Sequence, residues 1–172
     1  MATVEQTTQA SEAVARGYFD AMSARDADAA VAHWSPEGID DALGLGVFRG
    51  ADEIRGFLSG LFAAMPDLET TVTRVTASGD SAVVEWRMVG TFSGAPFQGV
   101  EPTGSHVELR GADSIQVEDG KIVRNTAYSD GTAFARAVGM LPSKDSGSER
   151  AFLAAFNGAT KLRGLIRDQL DR

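Results

Sequence analysis

The hydrophobic pattern changes period near Pro66. Before it, apolar residues recur every three to four positions; after it, they alternate. From Thr8 to Ser23, the residues Val14, Tyr18, Phe19 and Met22 fall on one face of a helix. Asp26 is placed to cap a second, shorter helix through Ala29, Ala30, Val31 and Trp34, which Pro36 and Gly38 end. Ile39 to Leu45 reads as extended. The run RGADEIRGFLSGLFAAMP, Arg49 to Pro66, predicts a third helix with Ile54, Phe57, Leu58, Leu61 and Phe62 as its buried stripe.

Beyond Pro66, Leu68 to Val75 predicts a strand, Ser78-Gly79-Asp80 a turn, and Ser81 to Phe92 a long returning strand. Gly94 to Gly104 is a loop with two prolines. His106 to Val117 is a third long strand, joined to Lys121–Tyr128 through Asp119-Gly120, a favoured hairpin turn. Ala133 to Met140 predicts a short helix. SKDSGS then reads as a linker, and Phe152, Leu153, Phe156, Leu162, Leu165, Ile166 and Leu170 mark a terminal amphipathic helix, with Gly158 a candidate break. Helices first and antiparallel strands after them predict an α+β fold. Its sheet curves around the N-terminal helices and leaves a cone-shaped cavity. Residues 1–142 form the domain, and 143–172 a C-terminal helical extension of it.

Composition narrows the function. The 172 residues, 43% of them hydrophobic, suffice for one domain with a core. The net charge of −8 argues against nucleic acid or an anionic membrane as partner. There is no cysteine, which excludes disulfides, thiolate metal sites and a cysteine nucleophile. His33 and His106 are far apart in sequence, so a histidine metal site is not expected. The N-terminus does not read as a signal peptide, and no apolar run is long enough for a membrane helix, so a cytoplasmic protein is expected.

Several segments carry a family pattern: GTFSG (Gly90–Gly94), FQGVEPTG (Phe97–Gly104), VEDGKIVRN (Val117–Asn125) and YSDGTAFARAVGMLP (Tyr128–Pro142). With RGADEIRGFLSGLFAAMPDLE before them, they resemble the SnoaL-like polyketide cyclases of the nuclear transport factor two-like superfamily. The likeness is densest over Thr91–Pro142 and does not cover Ser143–Arg172. It implies ring closure by intramolecular aldol condensation, or an isomerisation, without cofactor or metal. The implied proton shuttle is Asp130, with Asp40, Asp113 and Tyr128 as supporting residues. Characterised cyclases carry a histidine at the position of Asp113 and can carry an asparagine at that of Asp40. Three acids around one cavity would repel and raise at least one pKa. The resemblance further implies a small hydrophobic ligand and a homodimer.

Each candidate has a structural alternative. Asp130 can be the shuttle, the cap of the helix through Phe134, or both. Asp113 shares a strand face with Ile115 and Val117, where it is either a site acid or the buried partner of Arg87 or Arg124. Glu85 and Arg87, if they point inward with Asp130, resemble the acid–arginine–acid arrangement of limonene-epoxide hydrolase, which activates water; otherwise they are an exposed ion pair. Tyr128 can bind a substrate oxygen or fill core. Met22, Phe57, Leu61, Phe62, Met65, Phe92 and Phe97 are core, or cavity lining if the cone is unfilled. The terminal helix packs, dimerises or closes the pocket as a lid. A non-catalytic ligand-binding protein is the contrasting class.

Overall fold

The computed structural model describes residues 3–170, the side chains at 165 and 168–170 excepted. Helices α1 (Val4–Ala24) and α2 (Ala27–Val31) precede strands β1 (Trp34–Ala42) and β2 (Gly46–Arg49). Helix α3 (Gly50–Ala64) leads into four strands: β3 (Glu69–Ser78), β4 (Ser81–Phe92), β5 (Ser105–Glu118) and β6 (Lys121–Ser129). Helices α4 (Gly131–Ala137) and α5 (Gly147–Leu170) complete the chain. The six strands form one sheet in the order β2-β1-β6-β5-β4-β3, antiparallel except where β1 lies parallel to β6. The fold is α+β, with an open curved sheet against the N-terminal helices and a further helix at the C-terminus.

Helix α1 starts earlier than its apolar stripe predicts, because Thr3 and Gln6 close a capping box that satisfies two backbone donors ahead of it. The second helix stops earlier than predicted. Trp34 belongs to β1 instead, where its ring is 3% exposed and meets Tyr18 edge-on at 5.8 Å. Pro36 and Gly38, expected as terminators, lie inside β1 at an irregular stretch between Trp34 and Ile39. Gly38 is required there: a Cβ would come within 2.7 Å of the Trp34 ring. The short extended segment is in fact two strands, β1 and β2, turned at Leu43-Gly44-Leu45.

The core lies between the concave face of the sheet and helices α1 and α3. Phe19, Ile54, Leu58, Phe92, Ile115 and Ile122 are among its fully buried members. Alternation sets which strand residues enter it: on β4, Ala82, Val84, Trp86 and Met88 face in, and on β5, Asp113, Ile115 and Val117. Helix α5 runs unbroken through Gly158. Its stripe positions Leu165 and Leu170 lie outside the described residues. No described helix is long and apolar enough to cross a membrane.

Candidate active site

Strand register brings two acids and an amide together from three strands, one of them distant in the chain. On the parallel β1/β6 pair, Asp40 stands beside Asn125; on the antiparallel β5/β6 pair, Asn125 stands beside Ile115, with Asp113 two residues along the same face. All three side chains are buried, at 1–5% exposure. The Asn125 amide donates to Asp40 Oδ1 at 3.0 Å and to Asp113 Oδ2 at 2.7 Å. Two acceptors facing one amide fix its orientation, since only the NH₂ end can satisfy both. Trp86 Nε1 donates to the other Asp113 oxygen at 2.7 Å. Among the described residues, Asp40 Oδ2 accepts no hydrogen bond.

Burial outweighs these donors. It is the largest cause lifting the Asp40 pKa to about 7; the charge of Asp113 adds to the rise and the Asn125 bond opposes it. Burial also lifts Asp113, to about 6, against the Trp86 and Asn125 donors. Tyr18, on α1, is held well above the ordinary phenol value by burial and then by both carboxylates, so it stays a neutral donor.

These groups line a cavity of about 320 Å³ whose remaining wall is mostly apolar. Phe19 and Met22 of α1, Phe57, Leu58 and Leu61 of α3, and Phe97 of the Gly94–Gly104 loop supply much of that wall. Its volume is at the lower end for a small-molecule site, about 300–1,000 Å³. Met65 lines it as well, whereas Phe62 and Phe92 do not. Among the described residues, no Lys, Arg or His borders the cavity. Among the described residues, no group of three or more His, Cys, Asp or Glu is placed to hold a metal.

The candidates from sequence separate in space. Asp40 and Asp113 meet at Asn125. Asp130 borders the same cavity at its rim; it is exposed, and its side chain accepts from Ala133 N at 2.9 Å as the cap of α4. The acids that burial removes from solvent are Asp40 and Asp113. Tyr128 is 53% exposed and does not border the cavity, while its neighbours Ala127 and Ser129 do. Strand alternation turns it to the outer face, and the phenol near the acids is that of Tyr18. The expected pairing of Asp113 with Arg87 or Arg124 is replaced by the Trp86 and Asn125 bonds. Glu85 and Arg87 point outward, with side chains 50% and 43% exposed, and Arg87 pairs with Glu108 at 2.8 Å. The inward acid–arginine–acid arrangement therefore does not form. Asn125, inside VEDGKIVRN, and Tyr18, on the apolar face of α1, are site residues that the sequence pattern does not nominate; Asn125 is three residues from Ile122, out of step by alternation, and shares its buried face only because the β5/β6 register shifts between Gln116 and Val117.

A family model described as SnoaL-like domain matches residues 15–125. Among solved structures, a protein assigned as a SnoaL-like polyketide cyclase from Jannaschia sp. CCS1 superposes with a TM-score of 0.71 at 24% identity, over 79% of this chain and 96% of its own. AclR of Streptomyces galilaeus, assigned as a hydroxylase, gives 0.70 at 21% identity over 96% of this chain and 99% of its own. A protein assigned as a ketosteroid isomerase from Kribbella flavida gives 0.56 at 22% identity over 72% and 79%. At these identities the likeness is one of fold. No curated protein matches the chain.

Proposed function

This chain belongs to the SnoaL-like domain family, and from that premise we propose that it enolises an apolar carbonyl compound by cofactor-independent proton transfer. The observation that carries this reading is the Asp40–Asn125–Asp113 cluster set into a mostly apolar cavity. A carboxyl titrating near 7 is both a competent base and a competent acid at neutral pH. Asp40, with one oxygen free of hydrogen bonds, takes a proton from the carbon beside a carbonyl. The C–H bond breaks, an O–H bond forms on Asp40, and the electron pair passes to the carbonyl oxygen as an enolate. Tyr18, kept a neutral phenol by its burial, donates to that oxygen. Asp113, pinned by two donors, remains the fixed charge that keeps Asp40 basic.

The proton then returns to another carbon, giving an isomerisation. In the ring-closing version the enolate carbon attacks a second carbonyl, and the proton goes to the new alkoxide. Asp130 at the rim, the position the family resemblance favours, is the second proton-transfer candidate and would serve the far end of a ring-closing substrate. With three acids and, among the described residues, no basic one on the wall, the substrate carries no anionic group there.

The test is α-proton exchange of 2-tetralone, a compact apolar ketone, followed by NMR in deuterated water. Asp40→Asn is expected to lower kcat/KM at least about 100-fold, the scale for losing a general base. Asp130→Asn should cost less. Full activity in Asp40→Asn with loss in Asp130→Asn would move the chemistry to the rim. Binding of the ketone without exchange in wild type would leave a ligand-binding protein.

A further inference from the structure

Helix α5 presents an apolar stripe that no described residue of its own chain covers. Phe152, Leu153, Phe156, Leu162 and Ile166 are 49–60% exposed, and every residue from Ala151 to Arg163 is exposed. The base of the helix is nevertheless fixed. Glu149 accepts from Arg136 of the α4 helix at 2.9 Å and from Asp145 N at 2.6 Å, and Ser146 Oγ caps Glu149 N at 3.0 Å. No described residue of α5 borders the cavity of its own chain. Exposed apolar residues border that cavity: Leu45, at 37% exposure, and Met140, at 60%; Leu43 and Val47, two residues to either side of Leu45 in the chain, are exposed as well.

We propose that α5 of one copy lies across the cavity mouth of a second copy, and the reverse, so that a twofold dimer closes both sites. Three observations favour a second copy as the occupant. Residues 147–172 hold five basic and three acidic residues, a net of +2, which leaves residues 1–146 at −10 of the chain's −8. A cationic apolar helix is thus matched to an acidic body, and Asp130 stands at the mouth it would cover. Each copy also carries both surfaces, as a twofold interface requires. Finally, the areas suffice. A helix of 24 residues is about 36 Å long. Counting both surfaces of both contacts, with a helix about 10 Å wide, the dimer would bury on the order of 1,400 Å², above the roughly 1,000 Å² of a specific interface.

The proposal rests on the cavity being the site, but its test needs no turnover. The chain has no cysteine, so introduced thiols report cleanly. Phe156→Cys and Met140→Cys are made as separate full-length proteins, mixed, and treated with a short bismaleimide. A covalent dimer from the mixture, well above either protein alone, is the expected result. Light scattering on wild type should give twice the 18.1 kDa chain mass, and Phe156→Glu/Leu162→Glu, exposed positions that spare the fold, should give the single mass. Cross-linking confined to Phe156→Cys alone would mean helix-on-helix pairing and overturn the proposal. A cross-link formed only when both cysteines share one chain would mean an intramolecular lid, and a wild type of single mass would mean no dimer; either overturns it. Loss of ketone exchange in an intact, cross-linkable dimer would count against the enolisation reading instead.

Discussion

Asp40 carries the sharpest consequences at the scale of single residues. Its folded pKa of about 7 lies far above the ordinary carboxylate value, as does that of Asp113 at about 6. The folded state therefore holds these protons more tightly than the unfolded chain does. The stability they contribute is complete below about pH 4 and is lost as pH rises through about 6 and 7. Asp40→Asn keeps the shape, and its Oδ1 can still accept from Asn125, but it has no proton to lose. Its melting temperature should gain on wild type across that window, by the equivalent of on the order of 3 kcal/mol once both carboxyls of wild type are ionised. Differential scanning calorimetry of both proteins from pH 4 to 8 measures the difference directly, and parallel curves would mean that Asp40 is not shifted. The same group sets the rate: kcat/KM for proton abstraction should rise with pH and level off above about 7, where the base is ionised.

At the scale of elements, the sheet does more than support the acids, because Trp86 holds Asp113 only while its neighbour strand stays close. Gly111 on β5 is opposite Trp86 on β4, and a Cβ at Gly111 would collide with the Trp86 ring and with the Tyr128 carbonyl. Gly111→Ala must push the indole aside and strain the bond to Asp113. A loss of about 1–3 kcal/mol is expected, the usual cost of overpacking, together with a changed tryptophan signal in near-ultraviolet circular dichroism. Gly56→Ala is the control: it sits on α3 with open space around its would-be Cβ, and the change should be neutral or stabilise by up to about 1 kcal/mol. The elements themselves were legible in the sequence wherever period spoke clearly, as in the α3 stripe and the inward alternation of Asp113, Ile115 and Val117. Legibility failed at Trp34, where a helical apolar spacing met a tertiary surface, the Tyr18 ring, that favoured a strand. The site failed for a related reason. Asp40 and Asp113 could be nominated as acids, but what joins them is parallel register between β1 and β6, across 85 residues of chain, and no local pattern encodes that. Tyr128 stands one step of alternation away from the cavity-facing Ala127 and Ser129, and one step sends a side chain to the opposite face.

For the molecule as a whole, charge is the property that reaches the ligand. A chain of net −8 places three aspartates on this cavity and, among the described residues, no basic side chain there. An anionic ligand therefore has no counterion at the wall, and part of any such charge would be desolvated beside Asp40 and Asp113. Matched ligands isolate the effect: 2-naphthoate and 2-naphthamide share a ring system and differ in charge. The amide is expected to bind at least about tenfold tighter at pH 8, a difference of about 1.4 kcal/mol. The gap should narrow toward pH 5, as the carboxyls that titrate at about 6 and 7 take up protons and stop repelling the naphthoate. Added salt should change it little, because screening acts weakly on buried charges. Isothermal titration calorimetry at the two pH values, with and without salt, checks all three. Equal affinities at pH 8 would place the ligand out of reach of the acids, and a gap that salt abolishes would trace the discrimination to the exposed surface rather than to the cavity floor.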